Sequence, residues 1–259
     1  MLIACSPAQQ VEVPPTSSPS GAPSSRPAAS RPASGGDHAA FDELLARHVR
    51  DERVDYDAWR RDDAAALEGY LQQLAEVEPA SLARAERLAF YINLYNATMI
   101  REVLDRLVDG YSPAADDFAV FKAPVVALKS GRVSLNHLEN EIIRPDFGDP
   151  RIHVALVCAA RSCPPILPRA YVADDLDEVL DANMRRFVAD PSRNRVDHDA
   201  QRMELSKIFE WYADDFGGAE GVAGYVAKYL PGDRAAAGYA VTHSEYSWTL
   251  NLAAPAAGG

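Results

Sequence analysis

Between Leu88 and Ile100 the chain is apolar almost all round. The flanks are charged, with Arg84, Glu86 and Arg87 on one side and Arg101, Glu102, Asp105 and Arg106 on the other. A helix with a single apolar stripe lies on a surface, whereas one apolar on every side has to be wrapped by other elements. The segment Ala83 to Val108 is therefore expected to be the central core helix of the fold.

The rest of the chain supplies the wrapping. Phe41, Leu44, Leu45 and Val49 have helical spacing and predict an amphipathic first helix, followed by an extended Val54-Asp55-Tyr56. Ala119 to Leu128 alternates weakly towards a Lys129-Ser130-Gly131 turn. Ser134 then stands as the cap of a short helix carrying Leu135, Leu138, Ile142 and Ile143. The continuous apolar run Ile152 to Cys158 reads as a buried strand. A helix over Leu176 to Phe187 and a strand over Arg202 to Leu205 follow. Ser206 caps a helix from Lys207 to Phe216 that Gly217-Gly218 stop, and a last helix spans Gly221 to Leu230. Tyr246 to Asn251 alternates and predicts a strand with Tyr246, Trp248 and Leu250 on one face. No internal repeat is evident. These elements make one helix-rich α+β domain with a small sheet over residues 38–253, with a disordered tail at 254–259.

Ahead of the domain, residues 1–37 have a different character. Seven of the 18 prolines fall between Pro7 and Pro32, and Val11 and Val13 are nearly the only bulky apolar groups there. Such a segment cannot bury enough surface to offset its conformational entropy, so a disordered tether is expected, extending at most about 3.1 Å per residue. Leu2-Ile3-Ala4-Cys5 resembles a bacterial lipobox whose cysteine is diacylated, although the charged and apolar parts of a signal peptide are missing before it. The expectation is a lipid anchor at Cys5 and a place in the periplasm, on the outer rather than the inner membrane. The net charge of −12 lies almost wholly on the domain, because residues 1–37 hold Glu12 and Asp37 against Arg26 and Arg31. An acidic domain without a Lys/Arg run lacks the means to neutralise phosphates, which argues against nucleic acid as a partner.

Three groups of residues could carry chemistry. Asn93 and Asn96 sit at i,i+3 in the most apolar helix, either as structural amides bonded to neighbouring backbone or as polar groups lining a pocket. Glu139 falls in the stripe 135, 138, 139, 142 and 143, while His137, Asn140 and Glu141 point away. A carboxyl among Leu and Ile has a raised pKa suited to general acid work, or is a buried carboxylate bonded to Arg or backbone amides. The third group is Arg151-Ile152-His153 with Cys158, Ser162 and Cys163-Pro164-Pro165. In a regular strand His153 and Cys158 would face opposite sides. Pro164 holds Cys163 extended and no helix N-terminus follows to activate its thiol. A local Cys158–Cys163 disulfide is therefore preferred to a nucleophilic Cys163, in keeping with an oxidising compartment. The six His show no pair at ligand spacing and Cys-x4-Cys alone is a weak zinc signal, so neither a metal nor a cofactor is expected.

As a set, four segments resemble the family known as domain of unknown function 547, over most of residues 38–252. They are Leu88 to Ala97, Arg151 to Pro164, Leu205 to Tyr212 with Asp215-Phe216, and Tyr246-x-Trp248-x-Leu250-Asn251. Two positions depart from the family pattern. Asn140 follows Glu139 where the family has His, and Ser247 stands where it has Asp. If those groups do chemistry in relatives, this chain is a binding-only member; if they are structural, the site survives.

Two functions remain open. One is an envelope hydrolase or transferase acting on a peptide or glycan, with Glu139 and His153 as acid and base and Cys163 as nucleophile, beside the polar residues Asn93, Asn96, Arg151, Cys158 and Ser162. The other is a non-catalytic binding or scaffold lipoprotein. The discriminating question is whether Asn93, Glu139, His153 and Cys163 converge on an open cleft.

Overall fold

The computed structural model describes residues 37–230 and 234–253. The expected tether, the expected lipidation position Cys5 and the expected tail at 254–259 lie outside the described residues. Helices α1 (Ala39–His48), α2 (Tyr56–Asp62) and α3 (Ala64–Ala75) come first, and α2 and α3 pack against α4 (Arg84–Arg106). Every residue of α4 from Leu88 to Ile100 is buried, as its all-round apolarity demands. The two-residue strands β1 (Val49–Arg50) and β2 (Arg53–Val54) pair through a tight turn at Asp51 and Glu52. Both turn residues have positive φ, which suits the right-handed twist of a hairpin. The extended stretch predicted through Tyr56 ends earlier, because Asp55 Oδ1 accepts from the Ala58 amide at 3.0 Å and caps α2.

After α4 comes α5 (Ala115–Lys122), which opens with a left-handed turn at Asp116, Asp117 and Phe118. The weak alternation over Ala119 to Leu128 yields a strand only at its end. There β3 (Val126–Leu128) forms a hairpin with β4 (Gly131–Val133). Ser134 Oγ accepts from the His137 amide at 3.0 Å and starts α6 (Leu135–His137). The chain continues without a break through a π-helical turn, Leu138–Ile143, into α7 (Arg144–Phe147). Pro145 has no N–H to return to Glu141, which accounts for the widened ladder ahead of it.

The strand predicted over Ile152 to Cys158 is absent. Pro150–Val154 is a 3-10 turn capped by Asp149, and an irregular segment follows. The burial is as the apolar run implies, but side-chain amides replace a neighbouring strand as hydrogen-bond partners. Asn96 Nδ2 donates to Ala155 O and Asn96 Oδ1 accepts from Val157 N, both at 2.9 Å, and Asn183 Nδ2 donates to Val154 O. Buried backbone groups must be paired, and α4 and α8 (Leu176–Ala189) do the pairing here.

The remaining chain builds a three-stranded sheet from β5 (Arg195–Asp197), β6 (Arg202–Leu205) and β7 (Ala240–His243), antiparallel between β5 and β6 and parallel between β6 and β7. Between β6 and β7 lie α9 (Ile208–Trp211), a 3-10 turn at Ala213–Phe216 closed by left-handed Gly217, and α10 (Val222–Ala227). Phe187, Met203, Leu205, Phe209, Phe216 and Val226 form a second apolar cluster beside the one around α4. The expected strand from Tyr246 to Asn251 is instead an irregular strap with isolated bridges at Leu250 and Leu252. Its polar groups are drawn off by side chains, Trp248 O to Ser112 Oγ (2.8 Å) and Ser247 N to Ser162 Oγ (2.9 Å). The architecture is α+β, helix-rich with small sheets. No helix among the described residues is long and apolar enough to cross a membrane.

Candidate functional site

The π-helical turn, the irregular segment after His153, α9 and the C-terminal strap meet around an open cleft of about 480 Å³. Its floor is polar. Glu139, 7% exposed, is placed there by the stripe that also buries Leu135, Leu138 and Ile143. Tyr212 and Tyr95 donate hydrogen bonds to it, yet burial wins and pushes its carboxyl above the usual range. His153 lies 3.9 Å away, from Nδ1 to Glu139 Oε1. The other ring nitrogen, Nε2, is 2.6 Å from Asp215 Oδ2. A carboxylate can only accept, so the proton sits on Nε2 and Nδ1 presents a lone pair towards Glu139. Burial lowers His153 to about 4 despite the opposing pull of Asp215, which keeps the imidazole neutral at physiological pH.

Asp215 is held in turn. Arg144 makes a bidentate pair with it at 2.8 and 2.9 Å, which depresses its pKa. The Tyr212 ring stacks on His153 at 3.8 Å and carries the Arg144 guanidinium on its face at 5.2 Å. The histidine is thus fixed in tautomer and orientation by a chain running Arg144, Asp215, His153.

The two cysteines sit on a tight turn. Ala159 is left-handed (φ 60°), and Cys163 N donates to Ala160 O at 3.1 Å, so the chain folds back on itself. The strap clamps this turn through Asn251 N to Ala159 O (2.9 Å) and Arg161 N to Thr249 O (2.7 Å). Both thiols are free, in contrast to the disulfide preferred from sequence. Cys163 is 3% exposed and its Sγ accepts from the Cys158 amide at 2.9 Å. Cys158 is half-buried, and its Sγ is 3.1 Å from Tyr246 Oη. Burial pushes both thiols up. For Cys158, hydrogen bonds from Cys163, Tyr246 and the Ala160 amide outweigh burial and hold it below its ordinary value. Cys163 stays well above its own, from burial and from its neighbour Cys158.

The walls are aromatic. Trp211 is 49% exposed, with ring centroids 4.8 Å from Tyr246 and 5.9 Å from Trp248. Phe118, raised by the left-handed turn of α5, packs edge-on to Trp248 at 4.9 Å. Lys122 at the rim is paired with Asp117 at 2.6 Å. Among the described residues no group of three His, Cys, Asp or Glu side chains is arranged to hold a metal ion.

Glu139, His153, Cys158 and Cys163 therefore converge on one cleft. The opposite-face relation expected for His153 and Cys158 disappears with the strand it presumed. The other sequence candidates do not line the cleft. Asn93 is sealed in the core, clamping Tyr171 from both sides (2.7 Å to its carbonyl, 2.9 Å from its amide). Asn96 pins the backbone leading to Cys158, and Ser162 holds the strap. Arg151 pairs with Asp149 and Asp177 away from the cleft. Sequence reasoning assigns no role to Tyr95, Arg144, Trp211 or Asp215. For Tyr95, Trp211 and Asp215 a signal was present, since each lies in one of the segments that carry the family resemblance.

No curated protein and no solved structure gives a significant match to the chain. The model of the family described as "Protein of unknown function, DUF547" matches residues 79–188, a stretch that holds Tyr95, Glu139, His153, Cys158 and Cys163. Over that stretch the chain is similar to the DUF547 family.

Proposed function

We propose that the domain is a cysteine acyl-transfer enzyme, a hydrolase or transferase acting on an amide or ester of a peptide-like substrate, with Cys158 rather than Cys163 as nucleophile. The observation that supports this reading is the convergence of the hydrogen-bonded Cys158 Sγ, Glu139 and His153 on one aromatic-walled cleft. Cys158 is the more accessible thiol and the one whose neighbours favour the thiolate. In the first step its sulfur attacks the substrate carbonyl and forms the S–C bond. The bond to the leaving amine or alcohol breaks as Glu139, acting in the protonated form that burial favours, donates its proton. In the second step the Glu139 carboxylate, with His153 Nδ1 beside it, takes a proton from water or an acceptor nucleophile. That nucleophile attacks the thioester and releases Cys158.

Cleavage of a glycan is less well supported. It needs two carboxyl groups flanking the sugar, and both Asp215 oxygens are engaged by Arg144 and His153. The proline-rich tether and lipobox remain part of the proposal. We place the domain at the bacterial envelope, most simply in the periplasm, anchored through a diacylated Cys5. Mass spectrometry of the native N-terminus should find Cys5 acylated, and an unmodified Cys5 would remove the anchor.

The catalytic reading is tested by incubating the full chain with a p-nitrophenyl ester and with short peptide thioesters, then digesting with trypsin. Cleavage after Arg151, Arg161 and Arg169 puts Cys158 and Cys163 in separate peptides. The acyl group is expected on the Cys158 peptide and absent in Cys158→Ala, and Glu139→Gln should lose about 10²–10⁴-fold in turnover. Unchanged turnover in Cys158→Ala would sink the proposal and leave the non-catalytic binding or scaffold role.

A further inference from the structure

The cleft contains a group that the acyl-transfer steps leave unused. Cys163 is buried, has no part in attack on a carbonyl, and is nevertheless hydrogen-bonded to the nucleophile thiol and to its amide. Two cysteines five positions apart do not meet by default. They meet here because Ala159 takes a left-handed conformation (φ 60°), which an L-residue adopts only at a cost, and because Cys163 N closes the turn on Ala160 O. The strap then fixes the turn from outside through Arg161, Ser162 and Asn251. A strained turn that brings a second thiol against an accessible one is what a dithiol couple requires.

We infer that Cys158 and Cys163 form a reversible dithiol–disulfide couple, with Cys158 the thiol that reacts with hydroperoxide and Cys163 the thiol that resolves it. In the first step the Cys158 thiolate attacks the distal peroxide oxygen and the O–O bond breaks. Cys158 becomes a sulfenic acid and the alkoxide or hydroxide leaves as the alcohol or water after taking up a proton. In the second step Cys163 Sγ attacks the Cys158 sulfur, the S–O bond breaks, and the sulfenic oxygen leaves as water with the Cys163 proton. In sum, two thiols and one hydroperoxide give a disulfide, an alcohol or water, and a further water. The thiols lose two electrons and the peroxide gains them. External dithiol reduces the disulfide by exchange at the more accessible sulfur, Cys158, restoring both thiols and becoming a disulfide itself. The folded turn already holds Cys163 Sγ 2.9 Å from the Cys158 amide. The oxidised form has no thiolate in the cleft, and oxidation therefore silences the acyl-transfer site while shielding Cys158 from irreversible sulfinic acid formation.

This inference rests on Cys158 being the reactive thiol of the proposed site, but its readout is the oxidation state of sulfur and involves no turnover. Full-length protein reduced with dithiothreitol is freed of reductant, exposed to one equivalent of hydrogen peroxide, blocked with iodoacetamide and digested with trypsin. The expected product is the 152–161 peptide linked to the 162–169 peptide, with iodoacetamide labelling of Cys158 lost and then regained after dithiothreitol. In Cys163→Ser, peroxide should leave a dimedone-reactive sulfenic acid on Cys158 that proceeds to sulfinic acid. Peroxide treatment that gives sulfinic Cys158 in the wild type while Cys163 remains alkylatable would overturn the couple. So would a linked pair that dithiothreitol fails to open in the folded protein. A chain that forms the reversible link but never carries an acyl group keeps this inference and loses the acyl-transfer reading. One that is acylated at Cys158 but never links does the reverse.

Discussion

Asn96 offers the sharpest test of how the core helix reaches the cleft. Its side chain is 4% exposed and makes two hydrogen bonds of 2.9 Å, one to Ala155 O and one from Val157 N, just ahead of Cys158. Ala155 and Val157 are themselves buried, so neither backbone group can turn to water when the amide is removed. Each buried group left unpaired costs about 1–3 kcal/mol, so Asn96→Ala, which orphans two, should destabilise the domain by about 2–6 kcal/mol. Domains of this kind have only about 5–15 kcal/mol in total, so the loss is a large fraction of the whole. With a urea m-value of about 2–3 kcal/mol/M, the midpoint should fall by about 1–3 M with m unchanged. Asn96→Leu separates the two contributions to that number. It restores most of the side-chain volume but neither bond, so it should be no more stable than Asn96→Ala if hydrogen bonding dominates. An Asn96→Leu protein within about 0.5 kcal/mol of wild type would refute the reasoning, since that is the scatter of a substitution that breaks no specific interaction. If the variants fold, iodoacetamide should also reach Cys158 faster, because the segment carrying it has lost its tie to α4.

Two further outcomes follow from the site. The His153 pKa is lowered on folding from 6.5 to about 4, so the unfolded chain takes up a proton that the folded one refuses, and stability should fall as pH drops from about 6.5 to about 4. The difference between wild type and His153→Phe in urea melts should therefore shift by about 3 kcal/mol across that window; Glu139, whose raised pKa acts in the opposite sense, is present in both proteins, and a pH-independent difference would refute a neutral buried His153. Ser162→Ala removes the bond from the Ser247 amide, and because Ser247 is exposed the cost should stay at the low end of about 0.5–1.5 kcal/mol, while Cys158 labelling accelerates as the strap loosens; unchanged labelling would show that the strap does not guard the cleft.

How far these features can be read from sequence depends on whether the cause is local. The all-round apolarity of Leu88 to Ile100 carries its own consequence, and α4 is buried where that pattern requires. Asn93 and Asn96 take the structural role open to them, because an amide inside such a helix must find backbone to bond. The stripe containing Glu139 predicts its burial even though the local ladder is π-helical, since widening by one residue still leaves 135, 138, 139 and 143 facing inward. Ile152 to Cys158 fails for the complementary reason. An apolar run reports burial, while its conformation depends on which groups satisfy the backbone, and here these are Asn96 and Asn183, each distant in sequence. Asp215 and Tyr95 acquire their roles only through contacts made across the cleft, which no local pattern encodes. The free, paired thiols escape for the same reason, since the turn that joins them is held by the strap.

The two departures from the family pattern look different once they are placed. Ser247 is exposed on the outer side of the strap, where its backbone binds Ser162 and its hydroxyl meets Thr249 at 3.2 Å. An Asp there would face solvent, so its replacement by Ser takes no group out of the cleft. Asn140 is closer to the chemistry but also outside the lining. Its Oδ1 accepts from Arg144 Nη1 at 2.8 Å, and its Nδ2 donates to Asn136 O at 3.0 Å. That makes it the outermost member of the chain that runs through Arg144 and Asp215 to His153. What this position must supply is an acceptor for a guanidinium. A neutral His can supply it through one ring nitrogen, a protonated His cannot, and Asn supplies it at every pH. The exchange therefore removes a titratable group from the support of Asp215 without removing the support.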